Sequence, residues 1–336
     1  MNLELVSLII PYYKTPKNQM LNCIQSIINQ SYKKLDIIIV DDGSGEDYQS
    51  ILNEINGLDS RIRVIYKEKN TGLSATRNYG LDFALGEYVM FIDSDDMIHP
   101  FAIENMMNVL INSNSDMAIG QLTLINEYVI NSKNNDISDY EVMDTQTALD
   151  RLLRIDGFGS TACGRLAKKN IWNRNGDEPF IEGMLHEDLA SMWEIINNCS
   201  AVCFLRGEYY YYYQGGESSI HSKVVSEKFC YDYFNGLKKR NDTLTLMYPK
   251  LESSIALSYL INIPTIYIYS YETAEPIHMK KFRETLRVAF ANNYKMGISS
   301  PNCNLKTSIR YSLFLCCPKL YMSIYKFIRK KKGLRI

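Results

Sequence analysis

The residues best suited to chemistry form two acidic clusters, and each follows a short apolar run. One cluster reads DDGS at residues 41–44, and the other reads DSDD at residues 93–96. Neighbouring carboxylates repel one another unless a cation lies between them, and Mg²⁺ and Mn²⁺ prefer carboxylate and phosphate oxygens. The clusters therefore predict a site for a divalent cation and a phosphate-bearing ligand. Taken alone, DDGS also suits a turn followed by a helix N-cap, and an isolated Asp-x-Asp occurs by chance in many proteins.

Apolar runs and the amphipathic segments between them indicate the elements that position these clusters. The runs span residues 6–11, 37–41, 62–66 and 88–93, and the amphipathic segments lie near residues 17–29, 46–57, 74–84 and 100–113. Short runs that are apolar throughout are typical of strands buried on both faces of a parallel sheet. Their alternation with helices predicts an α/β fold with a doubly wound sheet. In such a sheet ligands bind outside the carboxyl ends of the strands, where both clusters fall.

The pattern changes in the second half of the chain. A polar surface excursion is predicted at 126–142, with helices over 145–154 and 185–197 and strands over 201–205 and 208–213. Five consecutive tyrosines, 209–213, are expected to alternate between buried and exposed positions along a strand. Residues 223–330 are mostly helical in pattern. The uncharged stretch 253–271 contains Pro264 and predicts a buried helix or helix pair rather than a membrane span.

Composition and net charge argue against several classes of protein. Of 336 residues, 46% are hydrophobic and 22% are charged, which is typical of a globular protein and not of a disordered chain, collagen or a coiled coil. The formal net charge of −1 argues against a general nucleic-acid binder. Eight cysteines without metal-ligand spacing, and no leader pattern at the N-terminus, predict free thiols in a reducing cytosol.

The charge is distributed unevenly along the chain. Residues 285–336 contain 11 Lys and Arg and no acidic residue, whereas the rest of the chain has 26 basic and 38 acidic residues. Apolar and basic residues mix over 305–336, a pattern that suits an amphipathic helix on an anionic membrane surface. The alternative is a helix packed on the protein with a solvated basic end. The first interpretation predicts a cytoplasmic protein held peripherally at the inner face of the plasma membrane.

No glycine-rich dinucleotide motif or P-loop follows the first strand, so carboxylates and a metal would have to hold a nucleotide diphosphate. Roughly the first 115 residues instead resemble the N-terminal domain of inverting glycosyltransferases of family 2, which have the GT-A fold. The resemblance rests on VSLIIPYYKT, IIIVDDGSGED, NTGLSATRN and EYVMFIDSDD. The later segments ACGRLAKKNIW, HEDLASMW and YYYYYQGGESSIH resemble the acceptor half of bacterial polysaccharide-type members.

The resemblance implies a mostly parallel, Rossmann-like sheet followed by a mainly helical C-terminal region. It divides the chain into a nucleotide-sugar-binding half over 1–120, an acceptor-binding half over 121–222 and a helical region with a basic amphipathic tail over 223–336. The first two segments would together make up the GT-A domain.

Donor contacts are assigned by the resemblance to residues at or near the strand ends. Asp41 would accept a hydrogen bond from the imide N–H of uracil, beside a nucleobase pocket walled by Pro11 and Tyr12. Asn70 and Arg77 would hold the nucleotide or its sugar, and the guanidinium would also offset the surrounding carboxylates. The neighbour of Asp41, Asp42, would shape the turn or assist.

The DSDD cluster matches the metal-binding motif of the family. Asp95 would coordinate Mn²⁺ or Mg²⁺ directly, and Asp93 would contact the ribose or a metal-bound water. Ser94 is grouped with the donor-binding residues. Asp96 would either join the metal shell or cap the helix that begins after His99-Pro100. A cation on the diphosphate stabilises the leaving group.

The general base implied by the resemblance is Asp188, in the HED motif at the start of a predicted helix. Attack by the acceptor hydroxyl from the far face of the sugar would invert the anomeric centre. Glu187 is the second candidate, and the alternative for both acids is that they complement the helix dipole. His221 lies in a Gly- and Ser-rich stretch, for which one interpretation is a loop that closes over the diphosphate and the other is a structural or surface histidine. Arg165 and Lys168, which could contact phosphate or solvate a face, are left outside the core site.

These expectations combine into a metal-dependent, inverting glycosyltransferase of surface polysaccharide synthesis. The donor would be a UDP-sugar or another nucleotide sugar, and the acceptor a glycan or lipid-linked glycan; no nucleic acid takes part. One alternative is a sugar-phosphate nucleotidyltransferase, although the Gly-rich phosphate loop expected of that class does not follow the first strand. The other is a carbohydrate-binding or assembly scaffold without turnover.

Overall fold

The computed structural model describes residues 3–128, 139–154, 156–174, 176–215 and 225–331, the last three of them by their backbone. His221 and the tail residues 332–336 lie outside the described residues. The chain divides into two compact units, Met1–Leu149 with Ser160–Ser218 and Asp150–Gly159 with Ser219–Ile336.

Within the described residues of the first unit, nine strands form one mixed sheet. Their bounds are β1 Val6–Tyr12, β2 Leu35–Asp41, β3 Ile62–Tyr66, β4 Tyr88–Phe91, β5 Met97–Ile98, β6 Met117–Ile125, β7 Tyr140–Asp144, β8 Arg165–Lys168 and β9 Ala201–Tyr213. The order is β3-β2-β1-β4-β8-β6-β9-β5, with β7 paired to β9. The first four strands pair in parallel, whereas β8 runs antiparallel to both of its neighbours.

Helices alternate with the first strands as the sequence predicts. The helices are α1 Lys17–Ile28, α2 Glu46–Asn56, α3 Leu73–Asp82, α4 Ala102–Ser113, α5 Thr145–Leu153, α6 Glu187–Asn197, α7 Glu227–Met247, α8 Glu252–Tyr269, α9 Lys280–Ile298, α10 Leu305–Cys316 and α11 Pro318–Lys331. The predicted α/β fold with a helical C-terminal region is therefore confirmed. The two strands predicted over 201–213 form one continuous strand, β9, and the polar stretch 126–142 ends inside strand β7.

The parallel part of the sheet brings the predicted site residues to one edge. Every residue of β1 and β2 is buried, as their uninterrupted apolar runs require. Tyr12 at the end of β1 is in register with Asp41 at the end of β2. On the other side of β1, Ile9 is in register with Phe91, two residues before Asp93. The strand order reverses between β1 and β4, and the crevice at such a switch point is where open α/β sheets bind ligands.

The tyrosine run of β9 does not alternate in burial, so that prediction is wrong. Tyr209, Tyr210 and Tyr211 are all buried, and only the last two tyrosines are partly exposed. The reason is that both faces of the strand are covered. The His99 ring lies 6.5 Å from the ring of Tyr211, and the hydroxyl of Tyr210, which points to the opposite face, is bonded to a buried carboxyl group.

In the second unit, helices α7 to α11 pack around aromatic side chains. The ring centroids of Phe290 on α9 and Phe314 on α10 lie 4.6 Å apart, and Tyr267 on α8 meets Phe314 edge to face at 5.3 Å. Helix α8 covers most of the uncharged stretch 253–271 as one buried helix with Pro264 in its interior. Among the described residues, no helix combines the length and apolar character that crossing a membrane requires.

Candidate active site

The residues predicted to bind a nucleobase lie at the carboxyl ends of β1 and β2. Asp41 is buried, and one of its carboxylate oxygens accepts a hydrogen bond from the Ser44 N–H at 3.1 Å. Pro11 and Tyr12 are buried as well, and the Tyr12 hydroxyl donates to the Thr15 carbonyl at 3.1 Å. Asn70, by contrast, is exposed. The structure thus brings Pro11, Tyr12 and Asp41 together at the edge of the sheet where β1 and β2 end.

Asp42 organises the loop that precedes α3. Its carboxylate accepts hydrogen bonds from the backbone N–H groups of Thr71 and Gly72, both at 2.9 Å, and pairs with Lys67 Nζ at 2.8 Å. Burial alone would raise the pKa of Asp42, but these donors together lower it. Both oxygens are thus used in shaping the turn. Lys67, which sequence reasoning missed, follows the end of β3 directly, and that position next to an acidic cluster is the signal that could have found it.

The loop after β4 carries Asp93, Ser94 and Asp95. The Ser94 hydroxyl lies 2.6 Å from the hydroxyl of Thr15, so the loops after β1 and β4 are joined across the switch point. Asp95 is half-buried, and burial together with the nearby Asp93 raises the pKa of Asp95 to about 6. Its carboxylate accepts no hydrogen bond from the side chain of another described residue. This is a carboxyl group that a cation would favour in its ionised form.

Asp96 is neither a helix cap nor an open ligand. Helix α4 begins after Phe101, and the carboxyl group of Asp96 is buried beneath β9. It accepts a hydrogen bond from the Tyr210 hydroxyl at 2.6 Å and another from the Tyr213 N–H at 2.8 Å. Burial, with Asp93 and Asp95 nearby, raises the pKa of Asp96 well above its ordinary value. The capping alternative is therefore wrong, and both oxygens of Asp96 are used inside the protein.

Arg77 joins the two acidic motifs. Its guanidinium is only 2% exposed; Nη2 pairs with Asp93 at 3.0 Å, while Nη1 pairs with Glu187 at 2.8 Å and Asp188 at 3.0 Å. The Phe180 ring lies 5.3 Å from the guanidinium carbon. Burial of a charge is unfavourable unless partners compensate, and here three carboxylates do so. Arg77 therefore acts as the counter-ion of the acidic motifs, which leaves little of it to hold a donor.

Glu187 and Asp188 open helix α6 directly after a residue with unusual backbone geometry. His186 has a φ of +60°, in the left-handed region that non-glycine residues seldom adopt. Besides Arg77, Asp188 accepts a hydrogen bond from the Ala162 N–H at 3.0 Å. Burial is the largest cause that raises the pKa of both acids, and with Asp188 adjacent the pKa of Glu187 reaches about 7. Burial thus outweighs the stabilisation that the helix N-terminus gives to a carboxylate.

The two basic residues that the sequence leaves outside the core site, Arg165 and Lys168, lie in strand β8. Arg165 is completely buried in β8 and donates to the Thr161 carbonyl, so it does not solvate a face. Burial lowers the pKa of Arg165 to about 10. Lys168, at the end of the same strand, pairs with Asp116 at 2.8 Å. Both residues belong to a strand inside the sheet.

A family model described as glycosyl transferase family 2 matches residues 7–174, which contain every strand and loop of the donor side of this site. The match covers half of the chain. The chain belongs to glycosyltransferase family 2. The predicted family and the prediction of a glycosyltransferase enzyme are confirmed.

Relatives of this glycosyltransferase include bacterial enzymes of several kinds. The cholesterol galactosyltransferase of Borreliella burgdorferi is 25% identical over 320 residues, covering 90% of this chain and 87% of that protein. Glycosyltransferase GlyG of Streptococcus pneumoniae is 28% identical over 221 residues, covering 62% and 70%. GlyA of the same species is 28% identical over 88% of this chain, which spans only 39% of GlyA.

Solved structures share the fold of the glycosyltransferase at lower sequence identity. The crystal structure of S. aureus TarS in complex with UDP-GlcNAc superposes with a TM-score of 0.63 at 15% identity. The comparison covers 98% of this chain and 92% of that one. The similarity in fold thus extends over nearly the whole of this chain.

The acidic loop of the glycosyltransferase fits a divalent cation that arrives with its ligand. In the part of the chain that the structure describes, no three His, Cys, Asp or Glu side chains are arranged to hold a metal ion by themselves. Mg²⁺ commonly takes only one or two protein carboxylates and completes its shell with water and substrate phosphates. Asp95, whose pKa is raised to about 6 by burial and by the nearby Asp93, meets that requirement together with Asp93. Asp96 does not.

Proposed function

We propose that this enzyme transfers a sugar from a nucleotide-sugar donor, in the first instance a UDP-sugar, to a hydroxyl group of a glycan or lipid-linked glycan, with inversion at the anomeric carbon. One observation carries the proposal. The guanidinium of Arg77 pairs with Asp93 of the donor-side motif and with Asp188 at the start of α6, so a donor site and a candidate base meet at one cluster. UDP is the first nucleotide to test because the fold neighbour TarS forms a complex with UDP-GlcNAc.

The donor would lie at the switch point, over the ends of β1, β2 and β4. Asp41 would accept a hydrogen bond from the nucleobase, and Asp95 with Asp93 would hold Mn²⁺ or Mg²⁺. The cation would offset the negative charge that develops on the departing diphosphate. Because Thr15 and Ser94 join the loops on either side, the nucleobase end and the diphosphate end of the donor would be held by one connected framework.

Asp188 is the proposed general base. Its side chain is 23% exposed, so an acceptor can reach it, and contacts with Arg77 and Ala162 fix its orientation. The acceptor hydroxyl would give its proton to the carboxylate while its oxygen bonds to the anomeric carbon. The bond from that carbon to the diphosphate oxygen breaks, and the nucleoside diphosphate leaves with the electron pair. A raised pKa makes the carboxylate a stronger base for this step.

The proposed acceptor class has less specific support than the donor site and the base. A relative over most of the chain is a cholesterol galactosyltransferase, whose name gives a lipid acceptor. A lipid-linked acceptor in surface polysaccharide synthesis would place the enzyme at the inner face of the plasma membrane. Because the chain belongs to a glycosyltransferase family, the interpretation that competes with this proposal is a non-catalytic scaffold, and a measurement of turnover distinguishes the two.

Calorimetry tests the donor site. We expect UDP to bind the wild-type protein in the presence of Mn²⁺, and binding to be lost in Asp95→Asn. Asp242→Asn, which alters an exposed aspartate on α7, serves as the matched control and should bind as the wild type does. If UDP fails to bind with or without metal, the titration is repeated with GDP and dTDP. Failure of all three nucleotides would support the scaffold interpretation.

Turnover assays test the base. Asp188→Asn should lower the transfer rate by roughly 10²- to 10⁴-fold while UDP binding persists, because proton removal is lost but Arg77 keeps its pair with Asp93. Glu187→Gln should have the smaller effect; the reverse order would make Glu187 the base. The anomeric configuration of the product, followed by NMR, should be opposite to that of the donor.

A further inference from the structure

Helix α11 is anchored to the second unit by one face. Tyr321 is buried, its ring meets Phe314 on α10 edge to face at 5.3 Å, and its hydroxyl accepts a hydrogen bond from Arg310 Nε at 2.8 Å. Five residues later, Lys326 pairs with Glu272 at 3.1 Å. These contacts fix the rotation of the helix about its axis. They therefore also fix which side chains point away from the protein.

The outward side of α11 carries a second apolar stripe. Leu320, Ile324, Phe327 and Ile328 are 52%, 41%, 67% and 47% exposed. Ile324, Phe327 and Ile328 follow Leu320 by four, seven and eight residues. This spacing places all four side chains on one side of a helix. Single exposed apolar residues are ordinary, but a contiguous stripe beside polar residues marks an interaction surface. We call these four residues the outer stripe.

The charged residues of helix α11 itself are all basic. Lys319 precedes the stripe, and Arg329, Lys330 and Lys331 are the last three residues of the helix. No acidic residue occurs after Glu284. With 14 residues the helix is about 21 Å long, shorter than the roughly 30 Å of a bilayer's hydrocarbon core. An apolar stripe flanked by basic residues on a short helix suits a position in the plane of an anionic lipid surface.

We propose that α11 binds an anionic bilayer surface, with the outer stripe inserted between headgroups and the flanking positive charge attracted to lipid phosphates. Two kinds of attraction then act together: apolar burial for the stripe and charge complementarity for Lys319 and the basic end of the helix. A second copy of this chain is the competing occupant, since residues 1–284 contain 38 acidic against 26 basic residues. Binding of α11 to lipid does not depend on which sugar, nucleotide or base the reaction uses.

Vesicle sedimentation with the full chain tests the proposal. Two vesicle types are compared: neutral phosphatidylcholine, and a mixture in which about a third of the lipid is anionic phosphatidylglycerol. We expect partitioning onto the anionic vesicles to be at least about ten-fold stronger, and to fall as salt is raised. Phe327→Asp should weaken it by about ten-fold or more. Lys319→Gln should weaken it by about five-fold.

The matched control is Leu246→Asp, which places the same charge at an exposed apolar residue on α7. It should bind vesicles within about two-fold of the wild type. Thermal unfolding confirms that each variant is folded, and Ile324→Ser replaces Phe327→Asp if the latter unfolds. Equal binding to both vesicle types, or an equal loss in Leu246→Asp, would overturn the proposal. So would self-association that Phe327→Asp abolishes in a protein that binds neither vesicle, because the occupant would then be a second copy.

Discussion

Arg77 Nη1 lies 3.0 Å from Asp188 Oδ1, although the two residues are 111 positions apart in the chain. The other terminal nitrogen of the same guanidinium lies 3.0 Å from Asp93. One buried cation thus sets the charge environment of the donor-side motif and of the candidate base. Because the buried Arg77 side chain cannot move away, a substitution at either acid changes the electrostatic environment of the other.

Replacing Arg77 should therefore harm both stability and transfer. We expect Arg77→Met to lower the free energy of unfolding by about 3 kcal/mol, because three carboxylates lose their counter-ion. Arg77→Lys restores the charge but not the forked geometry, so stability should recover in part while transfer stays at least about ten-fold below wild type. Urea unfolding and initial rates measure the two effects. Arg206→Met removes an exposed arginine that also pairs with two carboxylates, and it should leave the free energy of unfolding almost unchanged.

Glu187 should make stability depend on pH. Its pKa of about 7 in the folded protein exceeds the ordinary value of an unfolded glutamate, so the folded state binds this proton more tightly. The resulting stabilisation is complete below the unfolded pKa and is lost as pH rises towards 7. When the pH is raised from about 5 to about 8, the free energy of unfolding should fall less in Glu187→Gln than in the wild type, by about 1 kcal/mol or more. Urea unfolding at both pH values tests this, and exposed Glu284→Gln should follow the wild type.

Tyr210→Phe should weaken the acidic loop without opening a cavity. The hydroxyl donates to Asp96 and accepts a hydrogen bond from the Asp93 N–H at 3.1 Å, so its removal leaves buried polar groups unsatisfied. We expect a loss of about 1 to 3 kcal/mol in the free energy of unfolding, and weaker UDP binding. Tyr211→Phe removes a hydroxyl bonded to the exposed Glu208 and should change both quantities little. Equal effects from the two variants would contradict this role of Tyr210.

Gly43→Ala should disturb the loop before α3. A Cβ at this position would lie 2.6 Å from the Lys69 carbonyl carbon and 2.7 Å from the Asn70 nitrogen, and φ is +67°. Gly45 also has a positive φ, of +95°, but its Cβ would meet nothing within 4 Å. Gly45→Ala strains the backbone without a clash, so a larger effect of Gly43→Ala is attributed to the clash. We expect calorimetry to show UDP binding at least about ten-fold weaker in Gly43→Ala than in Gly45→Ala.

The sequence predicts the donor side of this fold well because the signals there are local. Runs such as residues 37–41 are apolar throughout, which identifies central strands, and the strand-end rule then brings Asp41 and Asp93 to the same edge. The HED motif likewise falls at a helix start, as predicted. Each of these inferences needs only residues that are close together in the chain.

The remaining features depend on contacts between distant segments. Nothing near Arg77 in the sequence reveals that Asp188 is among the carboxylates it pairs with, so sequence reasoning assigns the side chain to the donor as well as to the surrounding carboxylates. The hydrogen bond between Tyr210 and Asp96 spans 114 positions, and it converts an expected cap into a buried structural group. Likewise, the inner and outer faces of α11 are distinguished only by the contacts that Tyr321 makes with α10.

The path of β9 has a consequence for attempts to exchange parts between related enzymes. Tyr210 belongs to a strand more than 100 positions beyond the loop it holds, and that strand runs parallel to β6 within the same sheet. A chimera that joined residues 1–125 of this chain to the later half of a relative would separate Asp93 and Asp96 from the tyrosine that supports them. Residues 201–213 would have to be transplanted with the donor half, so the unit that can be exchanged is discontinuous in sequence.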